Sequence, residues 1–219
     1  DSATGSSVAV GAAITNLGTI TNGIINSKFI NNKAIAGSVD GAAIYTTKNL
    51  TIIADGSIGD GISTFQGNYI QYDDTVEYEA IFVSSAARTL TFNSINGGTI
   101  NLYDFVTGTS GYTTNLTGDS DSTINLYNDI KKSNVTVENI NLNLANDECH
   151  EYEFLTLTSN ANVKWTIDVN ALTKEADVIS TTNASSGVIT IESFNIVDGD
   201  LSTITDTTYV IQFLKTQTE

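Results

Sequence analysis

The chain repeats itself at long spacing. Phe29-Ile30-Asn31-Asn32 leads into a small-residue run that ends at Gly41-Ala42-Ala43-Ile44, and Leu50-Thr51-Ile52 follows. Phe65-Gln66-Gly67-Asn68 then leads to Glu79-Ala80-Ile81-Phe82 and Leu90-Thr91-Phe92. The two phenylalanines lie 36 residues apart and the two isoleucines, Ile44 and Ile81, lie 37 apart. Downstream, Thr-Ile-Asn-Leu-Tyr occurs at Thr99 and again at Thr123, 24 residues on. A third apolar alternation runs from Asn134 to Asn146. Such recurrence restricts the fold, because one repeat unit cannot bury its apolar side chains alone and must stack on the next.

The local pattern is that of short strands. "TINLY", "VTVENINLNL", "FLTLT", "KWTIDV" and "VITIESFNI" alternate apolar with polar residues between Gly, Asn, Asp and Ser clusters. Alternation sends successive side chains to opposite faces, which suits a half-buried strand. The best helical candidate, Asp168 to Ser180, reads equally as strand and turn. Short strands at even spacing allow a sandwich, a barrel or a solenoid. The repeats favour an all-β parallel β-helix (β-solenoid) over the alternative β-sandwich, with like side chains stacked ~4.8 Å apart. One domain over 1–219 is expected, with a repeat region at 1–146 and a less regular part at 147–219. Coils of ~22 to 25 residues predict about nine coils and a rod of about 40 Å. Asn32 and Asn68 are expected at turns, in a left-handed backbone conformation and in amide ladders along the axis. Gly41, Ala42 and Ala43 would let the next coil approach closely.

Composition agrees. There is no Pro, which would delete a ladder donor, and Thr, Asn and Ile make up over a third of the chain. The net charge is −16 and Arg88 is the sole arginine. Nucleic acid and anionic lipid both require cationic clusters, so neither is an expected partner. The acidity reads as solubility of a secreted protein. The single cysteine, Cys149, excludes an intramolecular disulfide. No run approaches the ~18 apolar residues of a membrane span, and the opening "DSATGSSVAV" lacks the regions of a signal peptide. An exported protein would have lost its targeting segment or carry it outside this stretch.

"FINN" with "DGAAIY" and "NLTI", then "FQGN" with "EAIF" and "TLTF", resembles the Phe-x-x-Asn and Gly-Gly-Ala-Ile repeats of polymorphic outer-membrane proteins and related bacterial autotransporter passenger domains. "GGTINLYD", "LTGDSDSTINLYNDI" and "NVTVENINLNLAND" are similar to later passenger segments. The likeness spans roughly Ile14 to Phe213, and departs from the pattern at Gly-Ala-Ala-Ile 41–44 and at Glu-Ala-Ile 79–81. It implies a right-handed parallel β-helix, exported and displayed at a bacterial surface, with adhesion as the common role. With no barrel segment in view, the chain reads as a fragment of such a protein or a processed product.

Candidate chemistry is sparse. Glu148-Cys149-His150-Glu151 packs four metal-ligand types together, but adjacent strand residues point to opposite faces, so a turn or exposed edge is the expectation. A nucleophilic site would have to use His150, the only histidine, beside Cys149. Asp73, Asp74, Glu77 and Glu79 cluster, and alternation would place Glu77 and Glu79 on one face at a spacing compatible with glycoside cleavage. Tyr69, Tyr72 and Tyr78 nearby could stack on sugars. Asp55 to Gly61 and Gly118 to Ser122 have calcium-like oxygen alternation without the EF-hand pattern, and read as solvated turns. Sequons at Asn49, Asn115, Asn134 and Asn183 are the chance product of an Asn- and Thr-rich chain.

The expectation is a non-enzymatic, extracellular module with no metal, cofactor or catalytic residue. It would serve as an adhesin or structural surface component, with a host or neighbouring-cell receptor or glycan as partner. A polysaccharide-binding or polysaccharide-cleaving β-helix and an end-to-end filament subunit are the alternatives.

Overall fold

The computed structural model describes residues 8–36, 38–160, 162–199 and 212–216. The alternating stretches form short strands that seldom pair with their sequence neighbours. Each instead pairs in parallel with the strand one coil further on, which makes the molecule a parallel β-helix rather than a sandwich. Among the described residues only two pairings are antiparallel, Tyr69–Tyr72 with Thr75–Glu77 and Lys164–Asn170 with Glu175–Ala176. The second of these occupies the stretch considered for a helix, and no helix forms there.

Three stacks build the walls. Sheet I holds Ile14–Asn16, Ile44–Thr46, Glu79–Val83 and Phe105–Gly108, extended by a parallel bridge from Val106 to Ile130. Sheet II holds seven strands: Ile24–Ile25, Leu50–Asp55, Thr89–Ile95, Tyr112–Gly118, Ser133–Glu138, Thr156–Ser159 and Ser186–Gly187. Sheet III holds Lys28–Ile30, Ile62–Gln66, Thr99–Leu102, Thr123–Leu126, Asn141–Asn143, Lys164–Asn170 and Thr190–Asp198, with Glu175–Ala176 as an eighth strand. The stack thus continues past Asn146. From Glu151 onward the strand before sheet II belongs to a separate three-stranded sheet, Glu151–Phe154, Val178–Thr181 and Leu214–Thr216.

Register follows the repeats. Phe29 pairs with Phe65, Ile44 with Ile81, and Ile100 with Ile124. Inside, the matched positions form apolar columns: Ile24, Ile52, Phe92, Leu116 and Val137 from sheet II, and Ile14, Ile44, Ile81, Val106 and Ile130 from sheet I. Phe29 and Phe65 stack at 4.9 Å with an interplanar angle of 9°. Each such side chain removed from water contributes about 1.5–3 kcal/mol, so the core is a property of the stack and not of any one coil.

Three expectations need correction. The left-handed backbone falls one residue before the expected asparagines, at Asn31 (φ 55) and Gly67 (φ 68), and not at Asn32 or Asn68. The turn sits at the third position of Phe-x-x-Asn, which frees the fourth side chain to point along the axis. Among the described residues the parallel stacks of sheets II and III each run to seven strands, about 29 Å from first to last, against the nine coils expected. Coil length also varies: Asn143 meets Asn125 across 18 residues, whereas Asn68 meets Asn32 across 36.

The ladders themselves are present. Asn32 Nδ2 donates to Asn68 Oδ1 at 2.7 Å, and Asn68 Nδ2 donates to Asp104 Oδ2 at 2.7 Å. On sheet III, Asn143 donates to Asn125 (2.9 Å), Asn125 to Asn101 (2.7 Å) and Asn101 to Thr64 Oγ1 (3.3 Å). The small-residue turn stacks too, with a further copy at Gly11-Ala12-Ala13-Ile14. The N–H groups of Ala12 and Ala13 donate to the carbonyls of Ala42 and Ala43, whose own N–H groups donate to the carbonyls of Glu79 and Ala80.

Candidate functional site

The coils that begin near Phe29 and Phe65 are longer than those downstream because the chain leaves sheet III and builds extra strands before reaching sheet I. Lys33–Ile35 pairs with Tyr69–Tyr72, and Val8–Val10 pairs with Ser38–Asp40. This side structure has its own small core of Ala34, Ala36, Val39, Ala42 and Ile70. In the next coil Tyr103-Asp104-Phe105 passes directly from sheet III to sheet I, with the Phe105 N–H on the Tyr78 carbonyl. The side sheet therefore stops abruptly. Its last strand is covered by the antiparallel return Thr75–Glu77 through a turn with Asp73 at φ 49, a device that occupies an otherwise open edge.

The three expected tyrosines all lie on this step, in two separate pairs. The Tyr69 and Tyr78 rings meet edge to face at 6.1 Å, and Tyr78 is 55 % exposed. Tyr72 OH donates to Glu77 Oε1 at 2.9 Å, and that bond pushes the Tyr72 hydroxyl's pKa upward. The Lys33 ammonium lies 5.1 Å from the Tyr69 ring centre. At the corner that replaces the step in shorter coils, Tyr103 and Tyr127 stack at 4.7 Å. Exposed tyrosine faces beside a carboxylate offer both a stacking surface and hydrogen-bond acceptors.

The carboxylates part company. Asp73 and Asp74 lie in the exposed hairpin turn. Glu77 stays at the surface with Tyr72, but the chain turns a corner at Tyr78 and carries Glu79 into sheet I, where it is only 4 % exposed. The expected common face for Glu77 and Glu79 does not form, because alternation holds within a strand and not across a corner. Glu79 Oε1 accepts from the Gly41 N–H, and burial pushes its pKa up to about 8, with the nearby Asp40 and Glu77 adding to the rise. Its role is to hold the Gly-Ala-Ala turn of the preceding coil.

Glu148 to His150 form a loop that runs into the strand starting at Glu151 and is pinned by two buried aspartates. Asp168 Oδ2 accepts from the N–H groups of Asn146 (2.7 Å) and Glu148 (3.2 Å), while Asp177 accepts from those of His150 (2.9 Å) and Asp168 (2.7 Å). Burial raises Asp177 to about 6. His150 Nε2 lies 3.2 Å from Asp129 Oδ1, and that contact raises its pKa; burial raises the Cys149 thiol. Among the described residues no group of three or more His, Cys, Asp or Glu side chains could hold a metal ion. The two calcium-like turns direct their carboxylates at protein groups instead: Asp55 Oδ1 accepts from Ser57 and Asn96, and Asp119 from Ser122 and the Asn96 N–H.

Sequence reasoning missed Asp104, Lys33 and the Asp168–Asp177 clamp. Asp104 could have been found by laying Leu-Tyr-Asp under Phe-Gln-Gly-Asn with one residue removed. The aspartate clamp leaves no periodic signal.

Compared with known proteins, the chain matches no family model, no curated protein and no solved structure.

Proposed function

We propose that this protein is a rigid, non-enzymatic β-solenoid module displayed outside a bacterial cell, and that it holds a glycan on the tyrosine step of its longer coils. The observation that carries the reading is the edge-to-face pair of Tyr69 with the exposed Tyr78 where the side sheet ends, with the Tyr72–Glu77 pair beside it on the other face of the same hairpin. The parallel stack supplies the stiffness, since every coil is hydrogen-bonded to the one before it. The resemblance to passenger repeats supports the location and the adhesive role. Aromatic faces with polar acceptors at their rim suit a neutral sugar chain better than an anionic one, because the flanking charge is acidic.

The test is retention on immobilised neutral and anionic polysaccharides, for the wild type and for Tyr72→Ala and Tyr78→Ala. Both side chains are exposed, so circular dichroism should be unchanged while retention is lost. Binding to no polysaccharide, or binding that survives both substitutions, refutes the site. Release of sugar products that disappears in Glu77→Gln refutes the non-enzymatic reading.

A further inference from the structure

Sheet II turns one face to the core and the other outward, and in-register pairing lines up the outward side chains in columns. One column runs Thr51, Thr91, Asn115, Thr136, Thr158 and Ser186 across six coils. Beside it runs a second, Thr89, Thr113, Asn134 and Thr156. The columns stand two residues apart on each strand, so the grid repeats at about 4.8 Å along the axis and about 6.6 Å across it. No register shift interrupts the pairing from Leu50 to Ser159, whereas sheets I and III carry shifts at Glu79/Ile81 and at Trp165/Thr166. Branching at Cβ fixes the threonine rotamers, which makes the grid stiff as well as regular.

Three observations separate this face from an ordinary solvated one. The chain carries a net charge of −16, yet neither column contains an ionisable side chain. Neither contains an aromatic ring, so the face lacks the platform on which sugars stack. Its polar groups are open over the central coils: among the described residues the side chains of Thr51, Thr91, Thr113, Asn115 and Thr136 make no hydrogen bond to protein, whereas Thr156 donates to Asn134, Asn134 to the Gly111 carbonyl, and Thr158 pairs with Ser186 toward the C-terminal end. On sheet III the equivalent amides are taken up by one another, from Asn143 through Asn125 and Asn101 to Thr64.

Two uncharged columns whose central hydroxyls and methyls are free, bordered on one side by Ile53, Asn93, Thr117 and Glu138, match a ligand that is itself neutral, periodic and built of hydrogen-bonding atoms. Crystalline water has these properties, and oxygen rows on the prism face of hexagonal ice repeat at spacings close to those of the grid in both directions. We propose that the outward face of sheet II binds ice, the threonine hydroxyls anchoring water in rows and the methyls holding those rows in register with the crystal. This site is separate from the tyrosine step and does not depend on the glycan reading.

The experiment uses the full chain in ice-affinity partitioning and in ice recrystallisation, comparing wild type, Thr91→Lys/Thr136→Lys on the face, and Thr123→Lys on sheet III. Wild type and Thr123→Lys should enter growing ice and restrain recrystallisation, and the double variant should be excluded. If the double variant does not fold, Thr91→Ser/Thr136→Ser keeps the hydroxyls and removes the methyls, and should still lose most of the inhibition. Exclusion of the wild type from ice, or inhibition undiminished in both double variants, overturns the proposal. So does a dimer in sedimentation that the lysine pair dissociates, which would assign the face to a second copy of the chain.

Discussion

Glu79 makes stability depend on pH in a direction opposite to that of a surface carboxylate. Its carboxyl is held in sheet I, only 4 % exposed, with the Gly41 N–H as its hydrogen-bond donor. Burial is the largest cause of a rise from the ordinary 4.5 to about 8. Between those values the folded protein keeps a proton that the unfolded chain has lost, so raising the pH favours unfolding. The contribution is fully present below about pH 4.5 and is lost as the pH rises through about 8. At 1.36 kcal/mol per pH unit, a rise of 3.5 units corresponds to up to about 5 kcal/mol. Glu79→Gln keeps the acceptor for Gly41 and a side chain of the same shape but cannot ionise. Urea denaturation at pH 5, 7 and 9 should show the variant within about 1 kcal/mol of wild type at pH 5 and several kcal/mol more stable at pH 9. The comparison removes the background shared by both proteins, including Asp177, whose rise to about 6 has the same sign. Parallel stability profiles for the two proteins would show that Glu79 is ionised without cost in the folded state, and the account of the Gly-Ala-Ala turn would fail with it.

The amide ladder offers a second test. Asn68 is fully buried, donates to Phe29 O and Asp104, and accepts from Asn32, so Asn68→Ala should cost about 3 kcal/mol in urea denaturation. Asn68→Asp should be worse at neutral pH, with a carboxylate facing Asp104, and should recover on acidification. The glycines separate backbone strain from crowding. Both Gly41 and Gly97 have positive φ, but a Cβ on Gly41 would lie 2.3 Å from the Ile44 carbonyl oxygen whereas one on Gly97 would meet open space. Gly97→Ala should cost about 1–2 kcal/mol and Gly41→Ala clearly more, read from thermal melts of the two variants.

Much of this architecture was legible in the chain because a solenoid writes its contacts into the sequence. When coil lies on coil, the partner of a residue is its copy one period away, and Phe29 with Phe65 or Ile100 with Ile124 can be paired by inspection. The legibility fails where the period changes. Coil length drops after Tyr78, and the Asp104 rung, one residue out of step with Phe-x-x-Asn, falls at that change. The Glu77–Glu79 pair failed for a related reason: a corner between them resets which way the side chains face. The Asp168–Asp177 clamp was invisible because carboxylates that hold backbone N–H groups need only be near them in space.

The sequence by itself determined that strands would be short, that like residues would stack, and that Asn and Gly would mark the corners, since these follow from alternation, repetition and backbone preference. The tertiary structure alone decided which surfaces matter. Asn143, Asn125 and Asn101 are closed into a ladder on sheet III while Thr51, Thr91, Asn115 and Thr136 are left open on sheet II, because a side chain's free hydrogen-bonding capacity depends on which side chain the register sets beside it in the next coil. That register is set by the packing of the whole stack.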